Sequence, residues 1–220
     1  QWKRKGSTMT RVLLCVGGSV EKFLTQEMVA GLSKKTALLV RNGIEKDAHV
    51  YSGAIEEAGA EIVITGWGSP LLTRGVLDQN PQLKYMCHLT GGLRANVTRE
   101  VIEDGFLVTN WGTLIGPTVA EAALLGILCC LRQTTMFTFM MHRDSGWREQ
   151  EKDVESLYDK RVGLHGFGNV ARSLVDLLRP FKCKVSAFDP HLPDSVFTEF
   201  DVRRVSDLKT LYSENRVISI

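Results

Sequence analysis

The sequence predicts an α/β protein built on two parallel sheets. Short apolar runs alternate with stretches whose apolar residues recur at helical spacing, and this alternation begins near Arg11 and begins again near Val162. A connection rich in glycine and proline, residues 110–117, separates the two patterns. We therefore predict two domains, residues 9–112 and residues 113–220.

The first pattern predicts strands that alternate with helices along the whole domain. Compact apolar runs predict strands at residues 11–16, 36–40, 61–65, 83–89 and 106–109. Helical spacing predicts helices at residues 19–32, 50–58, 71–77 and 97–103, with Ser19 as an N-cap and with Gly59 and Gly105 near the stops.

The second predicted domain starts with the most apolar segment of the chain. Thr118–Met141 is predicted as one long helix with Pro117 in its first turn. The charged residues 142–160 are expected to cross the surface. The remaining elements are predicted as strands at 162–165, 185–188 and 217–220 and as helices at 170–179 and 206–212.

Composition excludes several classes of protein. The chain has 220 residues, of which 44% are hydrophobic and 24% charged, and its net charge of +2 is too small to predict a nucleic-acid partner. The longest apolar stretch, residues 119–131, is too short to span a bilayer. The polar start does not resemble a signal peptide, and the five cysteines contain no C-x-x-C pair. We expect a cytoplasmic protein without membrane or nucleic-acid partners and without a metal site.

A glycine-rich segment, residues 161–171, opens the second pattern. Its residues 166–171, G-F-G-N-V-A, fit G-x-G-x-x-G/A between a predicted strand and a predicted helix. In such a loop Gly166 permits the tight turn, Gly168 lets the backbone approach a pyrophosphate, and Ala171 lets the helix pack close to the strand. The helix N-terminus then offers N–H groups to the phosphates. The motif by itself would equally fit a structural strand-to-helix turn.

An acidic residue at the end of the next predicted strand favours the cofactor interpretation. Asp189 lies 18 residues after Ala171, close to the spacing expected for the residue that bonds a ribose hydroxyl. Its carboxylate would repel a 2′-phosphate, and Pro190 and His191 follow it where a phosphate-binding arginine pair could stand. We therefore predict NAD as the cofactor in preference to NADP.

Four stretches, in this order, resemble the D-isomer-specific 2-hydroxyacid dehydrogenase family. Residues 81–92, P-Q-L-K through T-G-G, are similar to its "LKxI…xGxG", and residues 104–110 to its "xxGIxVxN". Residues 118–132 resemble its "xVAExxLxxxLxxxR", and the glycine loop with Asp189 is the fourth stretch. The resemblance implies a flavodoxin-like domain that binds the substrate carboxylate, a doubly wound Rossmann domain that holds NAD, and an active site in the cleft between them.

The resemblance also implies roles for individual residues. Gly91 and Gly92 would present backbone N–H groups to the carboxylate of a small 2-hydroxyacid or 2-oxoacid. Val119 would lie against the nicotinamide. Family members are usually dimers, which implies a homodimer through the region of residues 118–141. The cofactor-binding set is then Val119, Gly166, Phe167, Gly168, Asn169, Val170 and Asp189, with Asn169 and Val170 over the pyrophosphate.

The chain departs from the family pattern after the glycine pair. Leu93-Arg94 stands where the family often has Phe or Val followed by Asp. Arg94 could pair with the substrate carboxylate, or it could be a solvated loop residue. Trp67 and Arg94 are both candidates to line the substrate pocket.

No catalytic residue can be carried over from the family. Its Arg, its Glu and its His all follow the segment that matches residues 217–220, so the chain is expected to be a fragment with an incomplete Rossmann domain. Among the histidines, His88 precedes the substrate loop and is the one plausibly near the substrate, whereas His165 is expected under the cofactor.

Two hypotheses about function follow. In the first, the full-length protein is an NAD-dependent oxidoreductase that transfers hydride between nicotinamide and a D-2-hydroxyacid or 2-oxoacid. In the second, the chain is a catalytically inactive module that binds or senses NAD, since it carries the glycine loop without the family's catalytic set.

Overall fold

The computed structural model describes residues 9–143, 146 and 154–220. These residues divide into two compact units, one ending at Gly112 and one running from Thr113 to Ile220. Each unit contains its own sheet, and every pair of neighbouring strands in either sheet is parallel.

The sheet of the first unit has the order β2-β1-β3-β4-β5, which is the flavodoxin-like order. Its strands are β1 (Arg11–Val16), β2 (Ala37–Asn42), β3 (Ile62–Thr65), β4 (Tyr85–His88) and β5 (Leu107–Thr109). The helices between them are α1 (Gln26–Ser33), α2 (Ala48–Ala58), α3 (Arg74–Gln79) and α4 (Arg99–Glu103).

The central strand β1 is apolar throughout because both of its faces are covered. Leu13 and Cys15 point into the core that contains Tyr51 and Met86, whereas Val12 and Leu14 lie in the core on the opposite face. Parallel sheets covered on both faces have such continuous apolar strands. Because all the strands of this sheet are parallel, their carboxyl ends and the loops that follow them form one edge of the sheet.

The sheet of the second unit has the order β8-β7-β6-β9, which corresponds to 3-2-1-4 in a Rossmann fold. Its strands are β6 (Arg161–His165), β7 (Lys184–Phe188), β8 (Arg203–Arg204) and β9 (Val217–Ser219). The helices are α5 (Gly116–Arg132), α6 (Thr134–Arg143), α7 (Asn169–Leu178), α8 (Asp194–Glu199) and α9 (Leu208–Glu214). The predicted fold class, a flavodoxin-like sheet followed by a Rossmann sheet, is confirmed.

The prediction of one helix over residues 19–32 is wrong. Ser19 caps only a short 3-10 helix, Val20–Lys22, and the chain then returns to an extended conformation at Thr25. The Thr25 hydroxyl accepts from the Met28 amide and begins α1. The apolar spacing runs across both pieces, so periodicity could not reveal the break.

The prediction of one helix over Thr118–Met141 is also wrong. Gln133 adopts a left-handed conformation (φ 51°, ψ 36°), which ends α5 at Arg132 and bends α6 away by 61°. Apolar residues continue on both sides of the bend, which conceals it in the sequence. No single helix in the described ranges is long and apolar enough to cross a membrane, and α5 and α6 reach that length only as this bent pair.

Two elements beside the candidate site were not predicted. The helix α8 has only six residues, and β8 has two, both arginine. Such short pieces carry too little periodicity to be recognised. The other helices and strands lie where the sequence predicts them, with ends shifted by a few residues.

Candidate functional site

The glycine loop of the second unit links the end of β6 to the start of α7. Gly166 turns the chain with a φ of +92°, a left-handed value that residues with a side chain rarely adopt. Gly168, the residue before the helix, has an ordinary backbone conformation (φ −73°, ψ −169°). A Cβ placed on Gly168 would have no atom within 4 Å. The turn therefore favours glycine at position 166, whereas glycine at position 168 leaves open space beside the loop.

The N-terminus of α7 presents unpaired backbone donors. No side chain caps this helix, and within the described ranges the amides of Gly168, Asn169 and Val170 have no hydrogen-bond acceptor. The Asn169 side chain is turned along the helix, where its Oδ1 accepts from Arg172 Nη2 at 2.6 Å. Free amides at a helix N-terminus favour an anion through both hydrogen bonding and the helix dipole. The loop therefore fits the pyrophosphate of a dinucleotide.

The helix α5 packs tightly against the start of α7. A Cβ on Gly116, the first residue of α5, would lie 2.9 Å from Ser173 Oγ and 3.3 Å from the Asn169 carbonyl oxygen. Ser173 Oγ donates to that same carbonyl oxygen at 3.0 Å. This contact sets the position of the α7 N-terminus. Val119, on the next turn of α5, is exposed.

Asp189 follows β7 and is hydrogen-bonded directly to the glycine loop. The Phe167 amide donates to its Oδ2 at 3.0 Å and the His191 amide to its Oδ1 at 2.9 Å. Partial burial acts to raise the pKa of Asp189, but the Phe167 and His191 amides, together with the charge of His191 and the Leu192 backbone, lower the pKa below its usual value. The carboxylate is therefore ionised at neutral pH, and each oxygen keeps a lone pair for a ribose hydroxyl.

A cleft of about 600 Å³ lies beside Asp189. It is formed by the segments that follow β7 and β8 and is lined by Phe188, Asp189, Pro190, Asp194, Arg204, Val205 and Ser206. Arg204 is the residue that sequence reasoning missed, because β8 was not recognised. Its guanidinium pairs with Asp194 at 2.5 Å and donates to the Asp189 carbonyl oxygen at 3.3 Å. An arginine does therefore stand in the cleft wall, but it is already paired.

The side chain of Phe167 anchors the loop from below. It is fully buried, stacks on Phe197 with ring centroids 5.0 Å apart, and meets Phe200 edge-to-face at 5.8 Å. Its side chain is thus part of the core, and only its backbone faces the loop. His165, at the end of β6, contacts Tyr212 through its Nδ1 at 3.2 Å.

In the first unit, the glycine pair lies directly after β4 at the carboxyl edge of the sheet. Gly91 and Gly92 are exposed, and a Cβ on either would have no atom within 4 Å. Among the described residues neither amide has an acceptor, while Asn110 Nδ2 donates to the Gly91 carbonyl oxygen at 2.6 Å. This arrangement offers two adjacent N–H donors that could hold a carboxylate.

His88 lies beneath the glycine pair and has a structural environment. It is buried, its Nδ1 contacts Thr65 Oγ1 at 2.9 Å, and its Nε2 contacts Thr90 Oγ1. Burial lowers its pKa, although a hydrogen bond with the Gly92 backbone acts in the opposite direction. With both ring nitrogens engaged inside the protein, His88 holds the loop in place and is not free to exchange a proton with a substrate.

Arg94 is exposed, and within the described ranges its guanidinium has no hydrogen-bond or ion-pair partner. Contact with the substrate and a position in a solvated loop therefore both stay predictions for Arg94. Trp67, at the end of β3, is 64% exposed at the same edge of the sheet as Gly91.

Comparison with known proteins relates the second unit to a known family. Residues 124–220 match the NAD-binding domain of the D-isomer-specific 2-hydroxyacid dehydrogenases. This match covers less than half of the chain and lies within the second unit. The second unit is therefore similar to an NAD-binding domain, and it contains the unpaired amides of α7 and the carboxylate of Asp189.

The chain is similar in sequence to several proteins that are named as oxidoreductases. It is 29% identical over 212 residues to a hydroxypyruvate reductase of Thermotoga maritima, covering 96% of this chain and 65% of the relative. It is 31% identical over 102 residues to a D-lactate dehydrogenase of Escherichia coli, covering 46% of this chain and 30% of the relative. The chain thus spans less than two thirds of the length of these relatives.

Solved structures agree with the fold of the chain. A glyoxylate reductase of Paecilomyes thermophila has a TM-score of 0.75 at 16% identity, covering 95% of this chain and 64% of that structure. A phosphoglycerate oxidoreductase of Rhizobium etli has a TM-score of 0.72 at 21% identity, covering 94% and 65%. At these identities the likeness concerns the fold.

Proposed function

We propose that the full-length protein is an NAD-dependent oxidoreductase that acts on a D-2-hydroxyacid or 2-oxoacid. The observation that carries the proposal is the unpaired amide cluster at the start of α7, directly beside the ionised Asp189. The relatives named hydroxypyruvate reductase and D-lactate dehydrogenase support the substrate class. NAD, when bound, supplies or accepts the hydride.

The residues of this chain would bind and orient the two reactants. The amides of Gly168, Asn169 and Val170 would hold the pyrophosphate, with Gly166 making the turn and Phe167 anchoring the loop. Asp189 would accept from the adenine-side ribose, and Val119 would cover the nicotinamide. On the first unit, the amides of Gly91 and Gly92 would hold the substrate carboxylate.

We assign no catalytic acid or base to this chain. His88 is engaged on both ring nitrogens, and His165 is turned toward Tyr212. The proton that accompanies the hydride must be moved by a group within hydrogen-bond reach of the substrate oxygen. His88 does not meet that requirement while both of its ring nitrogens are bonded inside the protein, and we assign the step to neither histidine.

The proposal is tested by binding and turnover with the full-length protein. NADH is titrated by its fluorescence, and oxidation of NADH is followed with a panel of 2-oxoacids that includes pyruvate, hydroxypyruvate, glyoxylate and phenylpyruvate. We expect saturable NADH binding and oxidation with at least one acid. NADH binding with no turnover on the whole panel would instead favour the NAD-sensing module, and no NADH binding would reject both.

Asp189→Asn is expected to shift the cofactor preference toward NADPH by about tenfold. The substitution removes the negative charge that repels a 2′-phosphate but keeps an oxygen that can accept from the Phe167 amide. Dissociation constants for NADH and NADPH measured side by side check the shift. Asp176→Asn is the matched control, because Asp176 is an exposed carboxylate on α7 whose partner within the described ranges is Arg179. An unchanged preference in Asp189→Asn would contradict the assigned role.

We further propose that α5 and α6 form a homodimer interface. Large apolar side chains are exposed along both helices, with Leu125 at 62% and Phe139 at 61%. Apolar patches of this kind are typical of oligomer interfaces. The double substitution Leu125→Glu and Phe139→Glu is expected to convert a dimer into a monomer in light scattering. Met28→Glu, on exposed α1, should leave the mass unchanged, and a wild-type monomer would refute the interface.

A further inference from the structure

Three aromatic side chains gather at the carboxyl edge of the first sheet. Trp67 meets Phe23 edge-to-face with centroids 5.7 Å apart and meets Trp111 edge-to-face at 6.1 Å. The Trp67 ring is nevertheless 64% exposed. A tryptophan held by two aromatic neighbours and still open to solvent is unusual for a packing residue, because burial is what stabilises large apolar side chains.

The backbone that carries Trp67 is tightly held. Its carbonyl oxygen accepts from the Gly17 amide at 3.2 Å. The preceding Gly66 has no room for a side chain, since a Cβ there would lie 2.9 Å from the Phe23 ring, and its amide donates to Ser69 Oγ at 2.9 Å. Ser69 Oγ in turn donates to the Cys15 carbonyl oxygen at 2.8 Å. The exposed ring is therefore presented from a fixed position.

Trp67 stands next to the glycine pair. Strands β3 and β4 are paired with Thr65 opposite His88, and the Leu89 amide donates to the Thr65 carbonyl oxygen at 2.8 Å. Neighbouring strands are about 4.8 Å apart, so the segments that continue past them run side by side. The Trp111 amide donates to the Thr90 carbonyl oxygen at 3.3 Å, which places the second tryptophan on the other side of the pair.

We propose that Trp67 is a specificity-determining residue that selects 2-oxoacids and 2-hydroxyacids with an aromatic side chain. The inference rests on the proposed function, in which the amides of Gly91 and Gly92 hold the carboxylate. In an arylpyruvate, the aromatic ring lies only a few bonds from the carboxylate. A carboxylate held by the glycine pair would therefore bring that ring beside the neighbouring Trp67 indole. Aromatic rings gain from edge-to-face or offset contact beyond the area that they bury. The methyl group of pyruvate is too short to contact the exposed face of the Trp67 indole.

The side chains that contact the Trp67 ring favour the same choice. Its two ring contacts are aromatic, and the neighbouring loop positions Gly66, Gly68 and Ser69 carry no charge. An acid with a second carboxylate or a phosphate would gain no ion pair from this cluster, whereas a neutral ring would replace water over the indole.

The test compares phenylpyruvate with pyruvate in the full-length protein. Binding of each acid is measured by calorimetry in the presence of NAD⁺, so that no hydride is transferred during the titration, for the wild type and for Trp67→Ala. We expect wild-type protein to bind phenylpyruvate at least about tenfold more tightly than pyruvate, and Trp67→Ala to lose that advantage while pyruvate and NAD⁺ affinities stay within about twofold. Leu107→Ala, which removes another exposed apolar side chain of the same unit, should leave both acids unaffected.

The remaining outcomes are distinguishable. Equal wild-type affinities, or equal losses for both acids in Trp67→Ala, would overturn the inference while leaving the proposed function intact. Binding of NAD⁺ without either acid would reject the carboxylate site on Gly91 and Gly92, and the inference with it. If Trp67→Ala lowers the melting temperature, the variants Trp67→Phe and Trp67→Leu test the inference instead. The preference for phenylpyruvate should persist in Trp67→Phe, which keeps an aromatic ring, and should disappear in Trp67→Leu. A preference that persists in both variants would overturn the inference.

Discussion

Gly168→Val is expected to weaken NADH binding by about a hundredfold or more without lowering the melting temperature. The backbone at Gly168 is in a conformation that valine tolerates, and a Cβ there contacts no protein atom. The added side chain would instead fill the space in which the pyrophosphate has to approach the α7 amides. Fluorescence titration of NADH together with thermal unfolding measures both effects.

Two further substitutions sharpen this result. Gly53→Val places the same side chain at an exposed position of α2 in the other unit, where a Cβ also meets no atom, and should leave NADH binding unchanged. Gly166→Ala should instead lower stability by about 1–2 kcal/mol, because its φ of +92° strains any residue with a Cβ. Undiminished NADH affinity in Gly168→Val would mean that the cofactor does not use this loop.

Phe167→Ala is expected to destabilise the protein by about 3–5 kcal/mol. The ring is fully buried against Phe197 and Phe200, so truncation would remove both contacts and leave a cavity beneath the glycine loop. Unfolding in denaturant, with the transition followed by a signal from the second unit, gives the loss in free energy.

The control for this loss is Leu208→Ala, in the same unit on partly exposed α9, which should cost less than about 1 kcal/mol. Phe167→Leu should fall between the two, since it keeps part of the apolar volume. A cost for Phe167→Ala no greater than that of Leu208→Ala would show that the ring does not anchor the loop.

Local sequence rules were sufficient for the parts of the molecule that are encoded in short stretches. The strand β1 and the turn at Gly166 each depend on residues within a few positions of one another, and periodicity and glycine placement predicted both. The same rules failed at Gln133, where a single left-handed residue bends an apolar stretch whose spacing continues unchanged on both sides.

Asp189 is a residue for which the sequence predicts one part of its role and only the tertiary structure gives the other part. Its spacing from the glycine loop predicted a carboxylate near the ribose, because one helix of ordinary length lies between them. That the carboxylate accepts from the Phe167 amide, and that this hydrogen bond helps to keep its pKa low, follows only from the pairing of β6 with β7.

By itself, the sequence determined the alternation of strands and helices, the glycine loop and the acidic residue that serves it, because each is a local pattern. Only the tertiary structure decided which distant residues meet: Arg204 beside Asp189, Phe197 and Phe200 beneath Phe167, and Trp111 against Trp67. Strand order sets these contacts, and strand order is selected by the packing of helices on both faces of each sheet, a property of the whole chain that no short stretch carries.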